Sequence, residues 1–270
     1  MPKSSPSTLL FHHLPKMGGT TLLHLLRRQY PDQLFEVMRP SPDAAMKKFQ
    51  GLPEAKRASF RAISGHMHLE FSDYIPNPVT RITLLRDPIE RVVSEYFFVL
   101  RSPGHPKYPV IHGQKMTLDD VLAERVLDEA DNGQTRILCG IGQKDVPYGA
   151  CTPDMLQMAQ DNLDRFAVVG VTERFDEVVG VLSERFGWKL PRYEDRNVTA
   201  GRPKVEDLPS RTQELLQESS KLDLELYRGV LERFRALEAE MGLTLKRRVK
   251  SIRRTNRAFE QARRIKARFN

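Results

Sequence analysis

Thr8-Leu9-Leu10-Phe11 runs into LPKMGGTTLLHLLR, Leu14 to Arg27, and no other stretch of the chain constrains its fold as tightly. Four apolar or β-branched residues suit a buried strand, two adjacent glycines suit a tight turn, and the apolar spacing beyond Thr20 suits a helix. At a helix start the backbone N–H groups point outward unpaired, and the helix dipole adds partial positive charge. Gly18 and Gly19 would let a phosphate approach those donors closely, with Met17 in the same turn. Thr20 and Thr21 can add hydroxyl donors and cap the helix. Lys16, held by Pro15, reaches the same point from the strand side. The common nucleotide loop, G-x-x-x-x-G-K-[ST], carries its lysine after the last glycine. The reversed order here disfavours an ATP- or GTP-hydrolysing loop.

Farther along, apolar runs alternate with helical periodicity, which argues an α/β layer fold with a mainly parallel sheet. Strands are expected at Thr8–His13, Leu34–Val37, Arg61–Ser64, Arg81–Leu85 and Phe166–Val171. Helices are expected at Thr20–Gln29, Pro42–Phe49, Pro88–Arg101, Thr117–Leu127, Gly133–Cys139, Pro153–Asp164, Phe175–Arg185, Arg211–Ser219 and Leu222–Met241. The Pro- and Gly-rich stretch Ser102–Lys115 reads as a surface loop of the kind that carries substrate contacts. At 270 residues and 40% apolar, the chain can build a sizeable core. The two cysteines, Cys139 and Cys151, form no disulfide framework. Only seven residues precede the first strand, which leaves no room for a leader or anchor, so the expected setting is a reducing cytosol.

A second strand–helix junction, ITLLRDPIERVVSEY from Ile82 to Tyr96, has the same character. Asp87 suits the N-cap, Pro88 the first helical position, and Glu90 the reciprocal partner of a capping box. Arg86 then stands at the carboxyl end of a strand, the edge where open α/β sheets bind ligands. It can pair bidentately with a phosphate, and Ser94, two turns into the helix, can donate to the same group. Arg91 and Glu95 read as scaffold ion pairs or solvent groups.

PKMGGTT together with RDPIERVVSEY resembles the PAPS-dependent sulfotransferases, where PAPS is 3′-phosphoadenosine 5′-phosphosulfate. The closer resemblance is to the carbohydrate branch that includes heparan sulfate and uronyl 2-O-sulfotransferases. SGHMHLEF, FAVVGVTERFDEVV and NVTAGRP extend it from about Leu10 to Arg202. The resemblance implies a P-loop-like three-layer fold. It also implies a 5′-phosphosulfate held by Lys16 to Thr20 and a 3′-phosphate held by Arg86 and Ser94. Thr199 and Arg202 would approach the nucleotide from the polar loop, and adenosine 3′,5′-bisphosphate would be the product. A lysine beside the bridging oxygen stabilises charge that grows as the sulfuryl group leaves, and no metal is required for that step.

Transfer to a hydroxyl needs a base. ISGHMHLEF lies between the two phosphate motifs, and His66, His68 and Glu70 alternate in it; an extended chain would point all three to one side. The resemblance maps the catalytic histidine to His66, and histidine titrates near neutral pH. His68 and Glu70 stay open as alternatives and as acceptor-side residues. His12 and His13 suit structural or supporting roles. Gln134 and Arg136, in DNGQTRILCG, are candidates to border the acceptor cleft. The acceptor itself is expected to be a glycan, a glycolipid or a small hydroxylated metabolite.

The chain carries a net charge of +8, but residues 246–270 hold eleven Lys or Arg against Glu260 alone. That tail carries +10, leaving −2 for the other 245 residues, so the body is no nucleic-acid binder by charge. A division into a body, 1–245, and a basic tail, 246–270, is expected. Leu245, Val249, Ile252, Phe259, Ala262, Ile265 and Phe269 form a helical stripe in the tail. Such a helix can lie on an anionic membrane at its cytoplasmic face, dock a partner, or remain solvated. Two other functions stay open: a nucleotide kinase on a related layer fold, and a non-catalytic module for anionic surfaces.

Overall fold

A computed structural model of the chain describes residues 7–38, 41–141, 145–188, 192–193 and 202–266. Five strands form one sheet: β1 (Thr8–His12), β2 (Leu34–Val37), β3 (Ala62–Gly65), β4 (Val79–Leu85) and β5 (Val168–Val171). Their spatial order is β2-β3-β1-β4-β5, and every neighbouring pair is parallel. Parallel strands are covered on both faces, and β1, β3 and β5 are accordingly buried along their whole length.

The two faces of β1 feed different cores. Leu9 and Phe11 join Ile82, Leu84 and Val169 in a cluster with α1 (Gly19–Gln29), α8 (Pro153–Asp164), α9 (Phe175–Phe186) and α11 (Lys221–Lys266). Leu10 joins Val37 and Ile63 with Phe49, Phe60 and Phe71 on the opposite face, under α2 (Pro42–Gln50). A third cluster holds α4 (Pro88–Val99), α5 (Tyr108–Ile111), α6 (Leu118–Ala123) and α10 (Ser210–Ser219) together. Among the described residues the remaining α-helices are α3 (Glu54–Ala58) and α7 (Gly133–Leu138). The expected α/β layer fold with a mainly parallel sheet is therefore present.

Several details differ from the sequence expectation. The third strand starts one residue later, at Ala62, and ends on Gly65. The fifth begins at Val168, because Phe166 already sits in the core before the strand. α3 follows Pro53 where no helix was expected, and the 102–115 loop contains one short helix, α5. The last helix does not stop at Met241. It breaks at Gly242, whose φ of 49° and ψ of −121° only glycine adopts readily, and resumes to Lys266. Beyond the break, Leu245, Val249 and Ile252 are buried against the main core. Gly180 on α9 makes room for them: a Cβ there would lie 2.7 Å from Leu245 Cδ1. Arg248–Glu184 at 2.8 Å and Arg253–Glu177 at 3.1 Å fasten the same helix to α9.

Candidate active site

Strand order reverses direction at the β1–β4 pair. The chain leaves β1 toward β2 on one side and leaves β4 toward β5 on the other. That is the switch point where open α/β sheets bind ligands, outside the carboxyl ends of the strands. Register brings the ends together: His12 lies beside Gly65 of β3 and Thr83 of β4, and Leu85 lies beside Val171 of β5. The next residues on these strands, His13, His66, Arg86 and Thr172, therefore share one rim.

The turn after β1 has the predicted shape. Gly18 has φ of 70° and caps α1, while Met17 is fully buried and anchors the loop. Lys16 also has a positive φ, 66°, a conformation that costs a non-glycine residue about 1 kcal/mol or more. Its ammonium lies 3.8 Å from the centroid of the Phe98 ring on α4. Phe98 stands one turn beyond Ser94, so both share a helix face with the lysine poised over it. Burial lowers the Lys16 pKa to about 8, against the opposing pull of the Glu95 carboxylate.

Thr172, at the end of β5, ties the two turns together. Its hydroxyl donates to the Met17 carbonyl at 2.8 Å, with the Leu85 carbonyl at 3.0 Å. Gly18 leaves space for it, since a Cβ there would sit 3.1 Å from Thr172 Cγ2. Thr172 was not anticipated, although its place at a strand end is the signal that singled out Arg86.

Arg86 lies close to the same turn, its Nη1 3.5 Å from the Lys16 carbonyl. Its Nη2 donates to Glu90 at 3.1 Å. Arg202, far away in sequence, binds the same Glu90 carboxylate and also donates to the Glu90 backbone carbonyl at 3.3 Å. The two arginines therefore converge on one anionic group. This corrects the capping-box assignment of Glu90. Asp87 does cap α4, accepting from the Glu90 amide at 3.0 Å, but the Asp87 amide donates to Glu173 instead. Two guanidiniums hold the Glu90 carboxylate more strongly than one backbone N–H would. Burial lowers the Arg86 pKa, and the neighbouring Arg202 charge lowers it further. Ser94 is buried on α4 beside Arg91 and Glu95, both of which are also buried, so neither is a solvent group.

Gln134 holds the Arg86 backbone from both sides. Its Oε1 accepts from the Arg86 amide at 3.2 Å, and its Nε2 donates to the Arg86 carbonyl at 2.9 Å. Gln134 is itself oriented by the buried Asp223, which accepts from the Gln134 and Thr135 amides at 2.9 and 2.7 Å. Arg136 is buried too, paired with Asp131 and donating to the Val146 and Pro147 carbonyls. Gln134 thus positions the arginine, and Arg136 spends its donors on the surrounding frame.

On the other side of β1, His66 stacks on His13 with ring centroids 4.8 Å apart. His13 lies against Gly19, where a Cβ would come within 2.1 Å of its ring. Burial pushes the His13 pKa down to about 3, as it does for His12, so both rings are neutral at ordinary pH. The chain does not stay extended past His66. A 3-10 helix, Leu69–Tyr74, starts just after His68 and carries Leu69 and Phe71 into the core. His68 and Glu70 are exposed and lie 3.7 Å apart. The expected alignment of His66, His68 and Glu70 is thus broken by the burial of the apolar residues between and beyond them. Thr199, also a candidate contact, lies outside the described residues.

Cys139 and Cys151 are free thiols. A cavity of about 850 Å³ elsewhere in the molecule is lined by residues including Asp131, Tyr148 and Cys151, and neither Lys16 nor Arg86 lines it.

A profile of the Sulfotransferase family matches residues 4–228. A heparan sulfate 2-O-sulfotransferase of Caenorhabditis elegans is 24% identical over 204 residues, covering 66% of this chain and 60% of that protein. The chain thus spans about 60% of the length of this curated relative. With the matched segment running from β1 through the first turns of α11, across the whole rim that carries Lys16 and Arg86, the chain belongs to the sulfotransferase family.

Proposed function

We propose that the chain transfers a sulfuryl group from PAPS to a hydroxyl of a carbohydrate acceptor. The observation that carries this reading is the convergence of Lys16, Arg86 and Arg202 at the β1–β4 switch point. Such a rim fits a donor with phosphate at two places. The helix start at Gly18 and the Lys16 ammonium suit its 5′ end, and the Arg86–Arg202 pair suits its 3′-phosphate. Both guanidiniums already hold a carboxylate, so their geometry accommodates an oxyanion between them.

Bound there, PAPS would supply an activated sulfuryl group. Lys16 stabilises the negative charge left on the 5′-phosphate oxygen as the sulfur–oxygen bond breaks. With its pKa lowered to about 8 it is still mostly cationic at neutral pH, and it loses that charge as the pH rises through 8. His66 accepts the proton of the attacking hydroxyl. His13, neutral and buried, backs the His66 ring and fixes its distance from the glycine turn. Thr172 and Gln134 hold the two turns in register so that both ends of the donor are gripped at once. A glycan acceptor is favoured by the relative named for heparan sulfate.

Incubation with sulfur-labelled PAPS and a panel of glycans tests this. Wild type is expected to label at least one glycan, and Lys16→Ala and His66→Ala to lose that labelling while keeping the wild-type circular dichroism. Undiminished labelling by both variants would overturn the assigned roles.

A further inference from the structure

We propose that the groove between α9 and the second half of α11 binds a linear anionic polysaccharide, as a site separate from the sulfuryl-transfer rim. The groove encloses about 830 Å³. Six cations line it against two acids, Glu177 and Glu238. Two of the cations are matched to those acids: Arg174 pairs with Glu238 at 2.8 Å and Arg253 with Glu177 at 3.1 Å. The other four, Lys246, Lys250, Arg254 and Arg257, are exposed and form no ion pair among the described residues. They recur every three or four residues along one side of α11. At 1.5 Å per residue they form a cationic row about 16 Å long.

The partner follows from what the groove offers and lacks. A helix that lies in a lipid interface needs a free apolar face. Here Leu245 and Val249 pack against Gly180 of α9 and Ile252 is buried in the main core, so that face is occupied. Single-stranded nucleic acid is gripped by aromatic stacking platforms, and among the described residues no aromatic side chain lines this groove. What remains is a concave, charged, non-stacking track, which suits a chain of carboxylated or sulfated sugars.

The groove also leads toward the proposed chemistry. α9 begins at the same rim, two residues beyond Arg174's neighbour Glu173, which accepts from the Asp87 amide at 3.0 Å. The second half of α11 runs back along α9: Arg248 meets Glu184 near the end of α9, and Arg253 meets Glu177 in its first turn. A glycan held on this row would extend toward Lys16 and Arg86. That continuation rests on the glycan acceptor proposed above; the binding site does not.

Titration of the full-length protein with an oligogalacturonate of defined length tests the groove. Replacing Lys246, Lys250, Arg254 and Arg257 together by Gln should weaken binding about thirtyfold, since each exposed pair contributes modestly. Lys246→Arg with Lys250→Arg should retain it. Circular dichroism and binding of adenosine 3′,5′-bisphosphate should be unchanged in both. Equal oligogalacturonate affinity in wild type and the fourfold variant would overturn the proposal. So would tighter wild-type binding to phosphatidylserine vesicles or single-stranded DNA than to the glycan. If wild type binds the glycan through these residues but not adenosine 3′,5′-bisphosphate, the groove stands and the donor reading falls.

Discussion

Gly19→Ala is a small change with a consequence that can be worked from the structure. The new Cβ would lie 2.1 Å from His13 Cδ2 and 2.2 Å from Nε2, where carbon contacts settle at about 3.5–4.0 Å. The His13 ring must therefore retreat by about 1.5 Å. It has little room, being buried with Phe11 stacked at 5.4 Å and His66 at 4.8 Å. Overpacking of this kind costs about 1–3 kcal/mol, and the better helix propensity of Ala returns about 0.5–1 kcal/mol. The net loss of about 0.5–2 kcal/mol should lower the melting temperature by roughly 1–8 °C. Turnover should fall further than stability, because the ring that moves is the one backing His66. Thermal unfolding and a double-mutant cycle with His13→Ala read this out. Removing the ring should relieve the clash, giving a coupling of about 1 kcal/mol or more between the two changes. Stability equal to wild type in Gly19→Ala, or strict additivity in the cycle, would refute the contact.

Other outcomes follow from the same geometry. Gln134→Ala leaves the Arg86 amide and carbonyl without their side-chain partner; a loss of about 1–3 kcal/mol in chemical denaturation is expected, with weaker donor binding. Lys16 titrates at about 8 when folded and at 10.5 ordinarily, so its ammonium is lost as pH rises through 8. Transfer should decline above that pH, and a rate that holds flat to pH 10 would remove the ammonium from the step. Between pH 8 and 10.5 the unfolded chain retains a proton the folded one has shed, so this site's contribution to stability rises with pH. Lys16→Met should abolish that rise in pH-dependent unfolding. Truncation after Met241 strips Leu245, Val249 and Ile252 from the core, at about 5 kcal/mol in total. A truncated protein as stable as the full chain would show that α9 does not depend on that packing.

The parts of the fold governed by local pattern were legible in the sequence. Thr8–Phe11 and Ile82–Leu85 are short apolar runs ending in turn or capping residues, and both form buried parallel strands with Lys16 and Arg86 just beyond their ends. What depended on distant partners was not. Glu90 looks like a capping partner until Arg202, brought in from the far side of the chain, claims its carboxylate. His66, His68 and Glu70 alternate as if extended, but Leu69 and Phe71 draw the backbone into a turn to reach the core. Gln134 gives no sign in its own neighbourhood that it brackets Arg86, because the contact spans 48 residues. In the tail the apolar stripe is readable, whereas its destination is not: Gly180 on α9 supplies the seat, and nothing near Leu245 in sequence indicates it.

The central claim is that one doubly phosphorylated adenosine compound spans the Lys16 turn and the Arg86–Arg202 pair. Calorimetric titration of the full chain with adenosine 3′,5′-bisphosphate, set beside magnesium ATP, measures this most directly. Tight binding of the bisphosphate, lost in Arg86→Ala and weakened in Lys16→Ala, with no comparable heat from ATP, is the expected result. Preferential binding of ATP, or bisphosphate binding indifferent to both substitutions, would contradict it.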